Sequence, residues 1–460
     1  MAIKTILFLS GFAAAAAVTL FVPVVGVLAY VAHYSLGVER WWFVYSTRPW
    51  GIRYSFTLAA LTAVSMLCHF HKLRYGSKLL LTQERLLLLF LGIVWLSLAI
   101  SGGPLGSEEG YDHPVAKLTK VVAFTLMLTH VVTSMRKLDA VLWLLVLSGL
   151  SLGIQAYTVP ATAFGKGRLE LVGGPDFKEA NFLAAYLASI LPLIGVQFLR
   201  SKWPGKLLCL GSGAFAVNAI ILTRSRGAVV GITAGAAAAA LLAPRKFRLK
   251  ILAGLMVAAI GGLCLVDAGF LARARTIGPG QGEGDGAIES RVAIWAASRQ
   301  LLRENPLGVG AGNFKYVIGR YAPEHVGRDA HSTFVRCYGE LGVHGMATFL
   351  ILVGSAMWML RRAVKRARTL PAEPREHVTY VGYAIALGLI TFLACGFTMS
   401  LLYLEAFWWL LLLPVCLVRA DGNVRAAVAT ASAAGGKVGR GRARRKRRGT
   451  APLRQPGWTR

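Results

Sequence analysis

The chain has 460 residues, of which 55% are hydrophobic, and its 51 Lys and Arg against 21 Asp and Glu give a formal charge of +30. Its mean hydropathy is +0.56. Length alone suggests two or three soluble domains, but the apolar residues fall in blocks of about 17–25, the length that crosses a bilayer, which excludes that class.

The expected fold is all-α and polytopic, with about twelve transmembrane helices. Their spans read as about 6–32, 52–70, 84–101, 116–134, 138–158, 180–199, 206–222, 227–243, 249–267, 341–360, 378–398 and 402–418. The first is too long for a signal-peptide core, has no cleavage site and contains Pro23, which predicts a kink or tilt. Alternate loops carry Lys72, Arg74 and Lys78; Arg136 and Lys137; Arg200, Lys202 and Lys206; Arg245, Lys246, Arg248 and Lys250; and Arg361, Arg362, Lys365, Arg366 and Arg368. The run Arg440–Arg448 falls on the same side, which the positive-inside rule makes cytoplasmic, and both termini are expected there. The chain divides into nine helices over 1–267, an outer loop subdomain over 268–340, three helices over 341–418 and a basic disordered tail over 419–460.

The opposite face carries the acidic Glu108, Glu109 and Asp112 and the longest loop, 268–340. Within that loop, the run Gly278–Gly286 reads as a flexible hinge. Ala287 to Glu304 has helical spacing, with Ile288, Val292, Trp295 and Leu302 near one face, and Asn305-Pro306 stops it. The basic tail follows a membrane span, so anionic lipid is a better partner for it than nucleic acid; a tail that only enforces topology accounts for it equally well.

No cofactor or metal is expected. His69-Phe-His71 sits in a basic loop, Glu283-Gly-Asp285 lies in a glycine-rich tip without further ligands, and no His-Glu-x-x-His is present. Five of the six cysteines lie in or beside apolar spans, so no disulfide framework is implied. The aromatic pairs Trp41-Trp42 and Trp408-Trp409 fit interfacial belts.

The strongest physical anomaly is Thr223-Arg224-Ser225-Arg226-Gly227, a turn on the outer side with two guanidiniums and no acidic residue. A single Arg there is explained by snorkelling. Two in one tight turn point to an anionic ligand, because guanidinium forks match phosphate oxygens. A second polar cluster precedes the tenth span: Arg328, His331, Ser332 and Arg336. The run Gly308-x-Gly310-x-Gly312 follows no strand, so it shapes a turn and is not a nucleotide loop, though its amides are also able to face an anion.

His331-Ser332 is followed after nine residues by Gly342 and after two more by Gly345. This pattern resembles the signature of the O-antigen ligase and polymerase superfamily. The Ser225-Arg226-Gly227 turn, the helix opened by Arg291 and Trp295, and the closing Pro306-Leu-Gly308-x-Gly310-x-Gly312 resemble further segments of that family. So does Asn181 at the head of an apolar run, where Asp176 and Glu179 are read as helix-entry residues favoured by the dipole. The matches run in order over about 173–345.

The resemblance implies a metal-independent, inverting membrane glycosyltransferase on the periplasmic face of a Gram-negative inner membrane. Its donor would be an undecaprenyl-pyrophosphate-linked glycan and its acceptor the lipid A–core oligosaccharide. His331 would be the general base, with Arg291 and Arg224 on the breaking pyrophosphate bond. Arg226, Ser332, Arg328, Arg336 and Asn181 would bind substrate, and Arg328, Arg336 or His344 could exchange places with these choices. O-antigen polymerase and protein O-oligosaccharyltransferase remain alternatives within the resemblance. A lipid-linked glycan flippase is the non-enzyme alternative, and oligomeric state is open.

Overall fold

A computed structural model describes residues 3–38, 41–45, 47, 50–70, 79–106, 113–165, 167–242, 248–266 and 286–448. The expected hinge at 278–286, apart from its last residue, lies outside the described residues, as do His71, Lys72, Arg74, Lys78, Glu108, Glu109, Asp112, Arg245, Lys246, Glu283 and Asp285.

The chain folds as a bundle of sixteen helical segments among the described residues: α1 Ile3–Phe21, α2 Pro23–Ser35, α3 Trp42–Tyr45, α4 Tyr54–Cys68, α5 Thr82–Ile100, α6 Pro114–Val131, α7 Met135–Thr158, α8 Ala180–Arg200, α9 Trp203–Thr223, α10 Arg226–Leu242, α11 Arg248–Leu265, α12 Gly286–Glu304, α13 Phe314–Val317, α14 Thr333–Ala367, α15 Ala372–Gly396 and α16 Glu405–Arg448. A two-stranded hairpin, β1 Phe164–Gly165 and β2 Arg168–Leu169, is inserted ahead of α8. Nine of the described helices are long and apolar enough to cross a membrane, and α2, α4 and α10 are shorter apolar helices. The expected helical membrane architecture is present. The count of twelve spans is not reproduced by length and composition; α11, with Arg248 and Lys250 in its first turn, falls in neither group.

The expected first span, 6–32, is two helices. The chain leaves helical geometry at Val22, and Pro23, which cannot donate within a helix, opens α2. Phe8 of α1 and His33 of α2 both pack against the ring of Tyr54, at 5.2 and 5.8 Å. In one continuous helix those two residues would lie about 37 Å apart, so α1 and α2 fold back on each other. Thr5 Oγ1 also donates to the Phe43 carbonyl at 3.1 Å, which puts the start of α1 beside the segment following α2.

The tail differs as well. Where a disordered segment was expected from 419, α16 continues to Arg448. Arg419 donates to Glu84 Oε2 at 2.8 Å, Asn423 donates to the Thr133 carbonyl at 2.7 Å and Arg425 pairs with Asp421 one turn back at 2.8 Å. These ties and an alanine-rich stretch beyond them favour the helix.

The main core is apolar and centres on Phe90, Phe349, Phe392, Phe407 and Trp408, all fully buried. A second, smaller core gathers Ile294, Leu301, Phe314, Ile318, Ala330 and Val335 beneath α12. The segment from α12 to the start of α14 therefore has its own apolar centre. The inward face of α12 is set by Ser290, Ile294, Ser298 and Leu301; of the predicted set Trp295 packs against this core, Val292 is exposed, and the Ile288 side chain lies outside the described residues. Two serines on the buried face weakened the hydrophobic signal.

Candidate active site

The head of α14 is where the structure concentrates its polar groups. Gly342, inside α14, has φ 67° and ψ −167°, a conformation only glycine adopts readily, and it divides α14 into two segments. Breaking the helix there releases carbonyls that must find other donors. The 306–310 loop supplies them: Val309 N–H donates to the Gly339 carbonyl and Gly310 N–H to the Glu340 carbonyl, both at 3.0 Å. In return the Pro306 carbonyl accepts from Val343 N–H at 3.0 Å. The two backbones approach so closely that a Cβ on Gly308 would lie 2.3 Å from the Glu340 carbonyl oxygen, and one on Gly342 would lie 2.3 Å from that of Pro306. The glycine run thus shapes a turn, and the amides of Val309 and Gly310 are used on α14 rather than on an anion.

Asn313, 1% exposed, fastens this junction to the loop after α5, donating to the Gly103 carbonyl at 3.0 Å and accepting from Leu105 N–H at 3.0 Å. Thr333 ties the first turn of α14 to the segment before α16, donating to the Met399 carbonyl at 2.8 Å and accepting from Leu401 N–H at 2.9 Å.

His331 lies just before α14, half-buried, with φ 49°. The described non-glycine residues with positive φ are Leu171, Arg224 and His331, so two of the three are sequence-predicted site residues. Such backbone costs about 1–3 kcal/mol and persists where its surroundings impose it. Burial depresses the His331 pKa below its ordinary value of 6.5; Asp329 opposes the shift, and Arg291 and Arg328 add to it. Arg328 reaches Ser290 Oγ at 3.2 Å, and Trp295 Nε1 donates to the Ala330 carbonyl at 2.9 Å, so α12 clamps the loop carrying His331. Arg291 is half-buried on α12.

Ser332, 2% exposed, is the N-cap of α14, its Oγ accepting from Val335 N–H at 3.5 Å. Arg336 is held between carboxylates: its Nε donates to Glu340 Oε1 at 2.9 Å and its Nη1 lies 3.5 Å from Asp329 Oδ2. Its guanidinium stacks 4.9 Å from the Tyr403 ring centroid, and Tyr403 OH donates to the other Glu340 oxygen at 2.6 Å. Glu340 is completely buried. Expected as a substrate-binding residue, Arg336 is occupied by this network. The i,i+4 spacing of Arg336 and Glu340 was the sequence signal for the pair.

The second expected cluster forms around the turn between α9 and α10. Arg224 is the left-handed C-cap of α9, and Arg226 opens α10. Ser225 Oγ donates to Asn181 Oδ1 at 3.0 Å. Arg168, on the β-hairpin, donates to the same Asn181 oxygen at 2.7 Å and to the Thr223 carbonyl at 3.1 Å. Arg224 Nη1 lies over the hairpin turn, 3.1 Å from where a Cβ of Gly167 would sit. Asn181 therefore holds the arginine turn to the hairpin. Sequence reasoning missed Arg168, which sits in no motif; only the structure folds the hairpin onto the turn.

Glu179 links the two clusters. Burial pushes its carboxyl above the ordinary value, the negative charges of Asp329 and Glu170 add to this, and Arg168 and Arg336 oppose it. Asp176, read as a helix-entry residue for α8, serves another helix: it accepts from the Glu405 amide at the start of α16 at 3.1 Å and from Tyr34 OH at 2.9 Å, and it pairs with Lys117. Among the described residues no group of three or more His, Cys, Asp or Glu is placed to hold a metal ion.

Residues 211–350 match the family model described as O-antigen ligase. The match supports membership of the O-antigen ligase superfamily through this segment. The match supports a membrane glycosyltransferase of the ligase and polymerase type. It spans Arg224, Arg226, Arg291, Arg328, His331, Ser332 and Arg336, whereas Arg168 and Asn181 lie ahead of it. No curated protein matches the chain.

Proposed function

We propose that this superfamily member is an O-antigen ligase. It transfers a glycan from an undecaprenyl-pyrophosphate carrier to the lipid A–core oligosaccharide at the periplasmic face of a Gram-negative inner membrane. The observation that carries the reading is His331: a half-buried imidazole with a depressed pKa, held in a left-handed turn between Arg291 and Arg328 inside the family-matched segment. A neutral imidazole is the form that accepts a proton.

The acceptor hydroxyl gives its proton to His331 as its oxygen bonds to the anomeric carbon of the donor. The bond from that carbon to the pyrophosphate oxygen breaks, and its electron pair leaves with the carrier. Arg224 and Arg291 stabilise the charge that develops there, and Arg226 and Arg328 bind the diphosphate. Attack opposite the leaving group inverts the anomeric centre. Ser332, Asn181 and Arg336 act by holding these groups in place.

Full-length protein in vesicles with undecaprenyl-pyrophosphate-linked O-antigen and lipid A–core tests the reading. Capped lipopolysaccharide is the expected product. Lengthened donor without capping would instead identify a polymerase, glycan on added periplasmic protein an oligosaccharyltransferase, and donor movement without transfer a flippase.

A further inference from the structure

Asp329 has no place in the chemistry above, yet two parts of the site meet on it. One carboxylate oxygen accepts from Ala330 N–H at 2.8 Å, closing the turn that delivers His331 in its left-handed conformation. The other oxygen lies 3.5 Å from Arg336 Nη1. Arg336 is anchored in turn on Glu340, which has no solvent exposure and takes a second hydrogen bond from Tyr403. The Glu340 carbonyl accepts from both Gly310 N–H and Ser97 Oγ, so this anchor is fixed to the kink of α14 and to α5. A line of short contacts therefore runs from the most buried part of the site to the turn that presents the imidazole.

We infer that Asp329 is a positioning residue for His331, held by the Arg336–Glu340 pair and fixing the turn that presents the imidazole. The inference rests on His331 being the general base. The charged groups acting on His331 are Arg291 from α12 and Arg328 and Asp329 from its own loop. Asp329 itself faces Arg336 from α14 and Glu179 from the segment before α8. Of the groups acting on His331, Asp329 alone favours the protonated imidazole. Removing its charge makes His331 easier to deprotonate, so the acid limb of the pH–rate profile moves to lower pH.

The test uses the full chain in vesicles with undecaprenyl-pyrophosphate-linked O-antigen and lipid A–core, comparing wild type, Asp329→Asn, Asp329→Glu and His331→Ala across pH. Asp329→Asn keeps the shape of the side chain and removes its charge. The expected result is an acid limb displaced to lower pH, with kcat reduced about 10- to 100-fold by the misplaced imidazole and the KM for donor little changed. Asp329→Glu retains the charge and should keep the wild-type limb while lowering kcat; it remains informative if Asp329→Asn does not insert in the membrane. A wild-type limb in Asp329→Asn, or a displaced limb in Asp329→Glu, overturns the inference. Unchanged transfer by His331→Ala would defeat the general-base reading instead, and the two failures are distinguishable.

Discussion

Among the arginines, contacts separate roles that sequence could not. Arg336 is tied to the fully buried Glu340 and to Asp329. Taking one partner from such a pair strands a buried charge, at about 3–5 kcal/mol, so this guanidinium is not available to a ligand without loss of the site. Arg224 extends from a left-handed cap toward the hairpin turn, in a conformation that is unfavourable without a reason. His331 shares that feature, and its protonation gives a pH signature. Its pKa is pushed below 6.5, and the base works only when neutral. Transfer should hold as pH falls through 6.5 and decline only below it; a half-maximal rate above that value would contradict the depressed imidazole. His331, Arg224 and Arg291 were legible because family motifs and misplaced charge both mark them. Arg168 and Asp329 were not, since their roles come from partners distant in sequence or from a bent helix that no periodicity reveals.

The pattern His331-Ser332, then Gly342 and Gly345, has a mechanical explanation at the junction it forms. Ser332 caps α14, Gly342 breaks it, and a Cβ on Gly345 would lie 2.2 Å from Leu341 Cβ, which the break folds against it. Gly308 completes the junction from the facing loop. Replacing Gly342 by Ala adds backbone strain of about 1–3 kcal/mol to an overlap with the Pro306 carbonyl. A lowered unfolding temperature together with loss of transfer is expected for Gly342→Ala, measured in detergent or lipid. A normal Tm with full activity would show that the junction does not depend on glycine. The predicted helices at 287–304 and along the later spans were readable from apolar periodicity and length. The split at Gly342 falls where the tenth span was expected to begin, but that the helix continues on both sides of it, from Thr333, is recorded only by backbone geometry.

The bundle has two ends of different character. One carries Asp176, the hairpin, the arginine turn and the His331 loop. The other carries the pairing of Arg419 with Glu84, and of Arg200 and His377 with Asp139. Because α1 folds back on α2, its start lies at the first end, whereas α16 runs from Glu405 beside Asp176 toward Arg419 at the second. The start of α1 and Arg419 therefore lie at different ends of the bundle, an arrangement that loop charges alone could not show because one long apolar block is a helical hairpin. Reporters at the start of α1 and after α16 should be labelled from opposite sides of sealed vesicles; labelling from one side would contradict the fold-back. Whether His331 drives glycan transfer at the first end is decided by His331→Ala in vesicles containing lipid-linked donor and lipid A–core. Normal insertion, retained donor binding and transfer reduced by about 10²–10⁴-fold are expected. Transfer at the wild-type rate would contradict that role for His331.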